Sequence, residues 1–311
     1  MEISVFITSY NQKIYLIDAI ESVLDQSLRP FEIIIVDDCS QDGSQAVIAG
    51  YASRYPDLVK PIYHNQNQGI AQTRIDALKA VLGEYVTYVD GDDRVLPNKL
   101  ETETRILREN SSIQLVYSNY FYIDKNGGLI GVWANEENPP QGNVFHYVFS
   151  RNFPRGSLFR NELVNYRAYR NIGLPDPNLS IFEDFEMRIR LTKELEVAYC
   201  NEPLAEYRVH DNGLSREKAA EKLSSFEYIY QKNKHLLNDL PSETQREVKY
   251  RFYEFCARFA RQASKEAKDN GMKSERIRYY FGFLSYFARA VLYQKMKGGS
   301  RRTEVLESTA A

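Results

Sequence analysis

Long apolar runs are missing from this 311-residue chain. Nowhere do about 18 uncharged apolar residues stand together, the length a helix needs to cross a bilayer, so a membrane-spanning helix is excluded. Cysteine is scarce as well. Cys39, Cys200 and Cys256 are odd in number, far apart and without C-x-x-C spacing, which excludes a disulfide framework, a cysteine zinc site or a redox pair and predicts reduced thiols. With 16 Gly and 11 Pro, the chain has too little of either for a collagen-like or low-complexity protein. A basic excess is lacking too: 40 Lys and Arg stand against 42 Asp and Glu. That balance argues against a dedicated nucleic-acid binder, whose phosphate contacts demand positive charge. Met1-Glu2 leads into an apolar stretch without the basic segment and cleavage site of a secretion signal, so the expected location is the cytoplasm.

What is present is a soluble globular composition, 43% hydrophobic and 26% charged, on a chain long enough for one large domain or one domain with an appendage. Tyrosine stands out with 23 copies beside 16 Phe and a single Trp. The near-zero charge conceals a split. Residues 1–215 carry 20 basic and 30 acidic side chains, whereas residues 216–302 carry 20 basic and 10 acidic. Such asymmetry predicts different partners for the two segments.

The β-branched run Ile3 to Ile7 ends in Thr8-Ser9-Tyr10-Asn11, and apolar periodicity then resumes from Tyr15 to Leu24: strand, loop, helix. Glu32 to Val36 is too apolar to alternate and predicts a strand buried on both faces. A helix through Tyr55, a strand at Lys60 to His64, a helix at Ala71 to Leu82 and a strand at Tyr85 to Val89 follow. Repeated strand and helix units specify a mainly parallel, doubly wound α/β sheet, in which ligands bind beyond the carboxyl ends of the strands. The later pattern predicts a helix at Asn98 to Glu109, a strand at Gln114 to Ile123 and a hairpin turn at Lys125 to Gly128. Irregular loops are expected over residues 131–160, a helix at Phe182 to Leu195 and a short strand within Glu196 to Glu206. From Lys218 to Lys297 several basic amphipathic helices are expected, broken near Pro241 and Gly271, with a frayed tail after them.

Two carboxylate clusters sit at strand ends. In Tyr88-Val89-Asp90-Gly91-Asp92-Asp93, adjacent hard oxygen ligands suit Mg²⁺ or Mn²⁺ together with phosphate oxygens; an ordinary acidic turn is the alternative. In Asp37-Asp38-Cys39-Ser40-Gln41-Asp42-Gly43, Ser40 and Asp42 suit helix capping, while the adjacent anions Asp37 and Asp38 would repel one another without a use.

In their order, S-V-F-I-T-S-Y-N, E-I-I-I-V-D-D-C-S-Q-D-G-S, N-Q-G-I-A-Q-T-R, Y-V-D-G-D-D-R-V-L-P and E-D-F-E-M-R-I-R resemble the family 2 inverting glycosyltransferases of GT-A fold, over about residues 3–215. The resemblance implies a nucleotide-diphosphate sugar donor, with a UDP-sugar expected, a divalent metal, and a glycan or lipid-linked acceptor in surface polysaccharide assembly. It implies contacts from Thr8 and Tyr10 to the base region, and a base N–H accepted by Asp38 with Asp37 as helper. Asn67, Gly69 and Arg74 would flank base and diphosphate, although the family commonly has Ala where this chain has Thr73. Asp90 would meet the ribose, and Asp92 both donor and metal. Asp93 and His210 would complete the metal site. Asp184 matches the catalytic base, needed because an inverting displacement requires removal of the acceptor's proton. Glu183 is implied as an acid of the first helical turn or an acceptor contact; the alternative is that Glu183 and Asp184 only open the helix and pair with Arg188 and Arg190. Gly156 and Ser157 are expected near donor sugar and acceptor. Trp133 suits either sugar stacking or the core. Transfer to polyprenyl phosphate and a non-catalytic nucleotide-sugar-binding scaffold are the alternatives.

The domain reading is therefore a catalytic domain over 1–215, a basic helical region over 216–302 and a tail over 303–311. Residues 273–302 hold eight Lys and Arg against one Glu, interleaved with aromatics. Such a segment can lie on an anionic bilayer, which would put the protein at the inner face of the cell membrane, or pack on neighbouring helices.

Overall fold

Every residue from Ile3 to Ser9 and from Glu32 to Asp37 is buried, the reason neither run alternates. The structure, a computed structural model, describes residues 1–135, 138–211 and 218–295, the last of these without its side chain. It begins with β1 (Ile3–Ser9), α1 (Lys13–Leu24), β2 (Glu32–Asp37), α2 (Ser44–Arg54), β3 (Val59–Tyr63), α3 (Ile70–Ala80) and β4 (Tyr85–Asp90). These four strands run parallel in the order β3-β2-β1-β4. The register sets Ser9 beside Asp37 and Thr8 beside Asp90, so three polar strand ends share one edge. The strand order reverses at β1, which makes that edge a switch point where α/β sheets hold ligands.

The first unit continues with β5 (Arg94–Val95), α4 (Lys99–Glu109), β6 (Ile113–Ile123), β7 (Leu129–Val132), α5 (Phe145–Phe149), β8 (Leu163–Asn165), α6 (Tyr166–Ile172), α7 (Glu183–Glu194) and β9 (Glu196–Arg208). β8 is wedged antiparallel between β4 and β6, β9 runs parallel to β6, and β5 pairs antiparallel with β9. The sheet is thus mainly parallel, and Lys125 to Gly128 joins the β6–β7 hairpin. Two expectations change. The strand at Glu196 is 13 residues long, and residues 131–160 contain α5 and a 3₁₀ turn at Pro154–Gly156 rather than loops alone.

Met1–Glu217 forms one compact unit and the segment from Lys218 a second. The second contains α8 (Ala219–Asn233), α9 (Ser242–Asp269) and α10 (Lys273–Lys295). Pro241 precedes α9, and Gly271, at φ +72°, turns the chain between α9 and α10. Tyr230 stacks on Phe252 at 3.8 Å, Cys256 is a buried free thiol, and Ala260 of α9 lies opposite Gly282 of α10. Among the described residues no helix is long and apolar enough to cross a membrane. The expected boundary at 215, the tail over 303–311 and the end of the basic stretch, 296–302, lie outside the described residues.

Candidate active site

The loop after β4 can be this tight only because residue 91 is glycine. A Cβ there would stand 2.6 Å from the Thr8 carbonyl oxygen and 2.7 Å from Gln12 Oε1, while the Gly91 N–H donates to that same carbonyl at 2.9 Å. Asp90 Oδ1 accepts from Thr8 Oγ1 (3.2 Å) and Arg74 Nη2 (2.7 Å). Asp92 Oδ2 lies 2.8 Å from His210 Nε2. Asp93 turns inward: its Oδ1 accepts from the Arg208 N–H at 2.9 Å, and its buried Oδ2 has no hydrogen-bond partner. Burial and the neighbouring Asp92 push the Asp93 carboxyl well above its ordinary range, against the pull of Arg160. Arg208, itself buried, clamps the loop further by donating to the Asp92 carbonyl at 2.8 Å and to Asp18 at 3.0 Å.

At the end of β2 the two adjacent aspartates separate in role. Asp37 accepts four hydrogen bonds, from the Ser40 N–H and hydroxyl, the Ser9 hydroxyl and the Gln45 amide. A carboxylate has about four lone-pair positions, so Asp37 has none to offer a nucleobase. Its expected role as a helper in nucleotide contact is therefore corrected: Asp37 buckles the loop onto β1. Asp38 accepts from the Gln68 and Gly69 N–H groups at 2.7 and 2.9 Å and lies 2.8 Å from His64 Nδ1. One position on Oδ2 is left for a ligand N–H. Asp42 behaves as a cap, accepting from the first backbone N–H groups of both α1 and α2 (Lys13 and Ser44). Ser40 departs from the capping expectation, because its hydroxyl bridges Asp37 and the Asn11 N–H.

Glu183 and Asp184 open α7, where the helix dipole favours acids. The residue before them, Phe182, is left-handed at φ +63°, a cost a non-glycine residue bears only where surrounding structure imposes it. Asp184 pairs with Arg188 one turn on. Arg188 is itself held bidentate by Glu162, both contacts at 2.9 Å, and donates to the Tyr88 hydroxyl at 2.6 Å. Burial alone would raise the Asp184 carboxyl, but Arg188, Arg74 and Arg160 outweigh it and hold the group well below the usual range. Its side chain keeps 29% exposure, so this anion is anchored yet reachable. Glu183 goes the other way: burial, opposed by Arg74 and reinforced by Asp184, pushes it up to about 7. Arg74, stacked 4.2 Å over the Tyr88 ring, touches Asp90 and lies 3.1 Å from Glu183 Oε1. The second contact is an ion pair without hydrogen-bond alignment. Arg190 does not join this group, because Glu186 and the Ile172 and Leu174 carbonyls occupy it.

The remaining expected residues divide. Tyr10, 47% exposed, and Asn67 stand open at the strand-end edge. Gly69 at φ +83° delivers its N–H to Asp38, and the unusual Thr73 is satisfied by the Gly69 carbonyl at 2.9 Å. Gly156 at φ +64° closes the 3₁₀ turn, and the Ser157 carbonyl accepts from Trp133 Nε1 at 3.0 Å. Trp133 is fully buried and stacked on Tyr120 at 5.1 Å, so sugar stacking is corrected to a core role. Residues 212–215 of the late motif lie outside the described residues.

Three side chains of this arrangement escaped the sequence reading. Arg208 sits two residues before His210, so spacing could have flagged it, whereas the pairing of Arg188 with the start of α7 is the one its spacing predicts. His64, at the end of β3, and Arg160 carried no such signal. Arg160 stacks 3.8 Å from the Tyr207 ring centroid and places Nη1 3.8 Å from Asp90 Oδ2 and 3.9 Å from Asp93 Oδ2. These distances exceed a hydrogen bond.

Among the described residues, no three His, Cys, Asp or Glu side chains are gathered into a cage. The paired Asp92 and His210, backed by Asp93 Oδ2, which accepts no hydrogen bond, fit a hard cation that takes one or two protein ligands and draws the rest from phosphate and water.

Comparison with known proteins bears on this arrangement directly. The profile of Glycosyl transferase family 2 matches residues 4–167. The chain belongs to glycosyl transferase family 2. It is 30% identical over 217 residues to TuaG of Bacillus subtilis (strain 168), a protein named for teichuronic acid biosynthesis, covering 70% of this chain and 82% of that one. The B. subtilis glycosyltransferase EpsE is 32% identical over 40% of this chain and 45% of its own length. Among solved structures, S. aureus TarS 1-349 in complex with UDP-GlcNAc is similar at a TM-score of 0.60 and 16% identity, covering 93% of this chain and 92% of that one. That likeness shows the GT-A fold, with helices following the α/β domain.

Proposed function

We propose that this family 2 member is a metal-dependent, inverting glycosyltransferase. In this reading it moves a sugar from a nucleotide diphosphate, with UDP favoured, to a hydroxyl of a glycan or lipid-linked acceptor in the cytoplasm. The observation that carries the reading is Arg74, which touches Asp90 on the donor side and Glu183 on the acceptor side. One guanidinium thus spans the two halves that a single displacement must join.

The base would donate an N–H to the remaining position on Asp38, and a ribose hydroxyl would meet Asp90 Oδ2, which has no aligned hydrogen bond from Arg160. Arg160, with its donors held only at ion-pair distance, is the protein's own cation for the diphosphate. A Mg²⁺ or Mn²⁺ held by Asp92 and His210, with Asp93 behind them, would supply charge to the departing diphosphate. Asp184 takes the acceptor proton as the new glycosidic bond forms and the sugar–phosphate bond breaks. Its carboxyl is held low in the free protein, but an anionic diphosphate against Arg160 and Arg74 raises its basicity when the donor is bound. The biosynthetic polymer in TuaG's name and the UDP and UDP-GlcNAc complexes of TarS support a UDP-sugar donor and polysaccharide assembly.

Asp184→Asn tests the assignment. Turnover should fall by about 10² to 10⁴ while nucleotide affinity, measured by calorimetry, changes little. Retained turnover would move the base elsewhere.

A further inference from the structure

α10 is apolar on two opposite faces, and among the described residues only one of them is packed. Gly282, Tyr286, Ala290 and Tyr293 lie toward the rest of the helical unit. Tyr286 donates to Glu227 of α8, Tyr293 stacks on Tyr253 of α9, and Ala290 is buried. On the other side, Ile277, Tyr280, Phe281, Leu284, Ala288 and Leu292 recur at helical spacing and are all exposed. Ile277 reaches 56%, Phe281 65% and Leu292 57% exposure. At 100° per residue these six fall within a sector of about 120°. That is a continuous apolar stripe more than three turns long.

The charges beside it choose the occupant. Arg278 and Arg289 border the stripe on one flank and Arg276 on the other, while Lys273 stands at its N-terminal end. Glu275, the only acid of the helix, projects to the packed side. Two copies of this chain meeting through the stripe would bring those cationic borders together and repel. A surface that is apolar in its interior and anionic at its rim meets both features at once, and an amphipathic helix lying in the headgroup layer has this design.

We propose that α10 docks flat on an anionic lipid bilayer, burying the Ile277 to Leu292 stripe among the acyl chains while its arginines and lysine meet lipid phosphates. The helix lies on the membrane rather than crossing it. An enzyme so placed works where a lipid-linked acceptor is presented, but the docking does not depend on which sugar is transferred or on whether transfer occurs.

The full chain is sedimented with vesicles of phosphatidylcholine alone or of phosphatidylcholine with one third phosphatidylglycerol. Binding is expected to the second and not to the first, and it should weaken with salt as screening predicts. Phe281→Ser with Leu284→Ser should reduce the partition coefficient at least about tenfold, and Arg278→Glu with Arg289→Glu should do the same. All four positions are exposed, and unchanged melting would establish that both variants are folded. Absence of binding to anionic vesicles, or binding indifferent to the Phe281 and Leu284 pair, overturns the proposal. So does lipid-free self-association in analytical ultracentrifugation that the same pair abolishes, since a second copy would then be the occupant.

Discussion

Arg74 holds Asp90 and Glu183 in reach, and burial brings the titration of Glu183 near neutrality. The protonated form of Glu183 is favoured in the fold, where its carboxyl is pushed up to about 7 from 4.5. Stability from that protonation is complete below the unfolded value and lost as pH rises through about 7. Glu183→Gln, which imitates the protonated form, should therefore remove a decline of roughly 1 to 3 kcal/mol between pH 5 and 8. Thermal melting of both proteins across that range is the measurement, and parallel curves would mean an ordinary carboxyl at 183. The sequence exposed Glu183 and Asp184 as a pair, but could not divide one into a buried, proton-holding acid and the other into an anchored anion. That division depends on burial and on Arg188, Arg74 and Arg160, which come from distant parts of the chain. The same limit explains Asp37: in sequence it is the twin of Asp38, and only the folded loop, with Ser9 of the neighbouring strand, Ser40 and Gln45 all donating to it, shows its lone pairs to be spent.

At the scale of elements, the site is a set of strand ends held in register, and the β4 loop depends on its approach to β1. Gly91→Ala should cost about 1 to 3 kcal/mol in urea unfolding, because the added methyl meets a backbone carbonyl that cannot step aside. It should also weaken nucleotide binding by moving Thr8 against Asp90. A variant with wild-type stability would show that the loop relaxes freely. β1, β2 and β4 were legible because strands buried on both faces read as unbroken apolar runs. β8 was not, since three residues are too few for any period to appear. The length of β9 was hidden by its edge-like composition, in which Glu202 and Glu206 interrupt the apolar pattern: the backbone pairs through Glu206, whereas Glu202 falls where the ladder with β6 slips in register.

For the whole molecule, the charge split separates an acidic α/β unit from a basic helical one. On the proposed function, an acidic site must take an anionic donor, and cations are needed to reconcile the two. UDP-sugar with Mn²⁺, supplied at about 100 times its dissociation constant, should stabilise the protein by about 2.7 kcal/mol, read as a rise in melting temperature. Removing the metal with EDTA should cancel most of that gain. Stabilisation that survives EDTA would leave Arg160, Arg74 and the backbone as sufficient for the diphosphate.

By itself the sequence determined the doubly wound sheet, the polar strand ends, the Asp90 to Asp93 loop, the Glu183-Asp184 pair and the basic aromatic C-terminus, because each is written in local periodicity or in adjacent residues. Tertiary structure alone decided that Trp133 is core, that Asp37 is a buckle and that Arg160 stands among the carboxylates. It also decided which aromatic face of α10 packs and which remains open. These outcomes are set by neighbours distant in the chain, and burial, lone-pair occupancy and charge pairing have no value until those neighbours arrive.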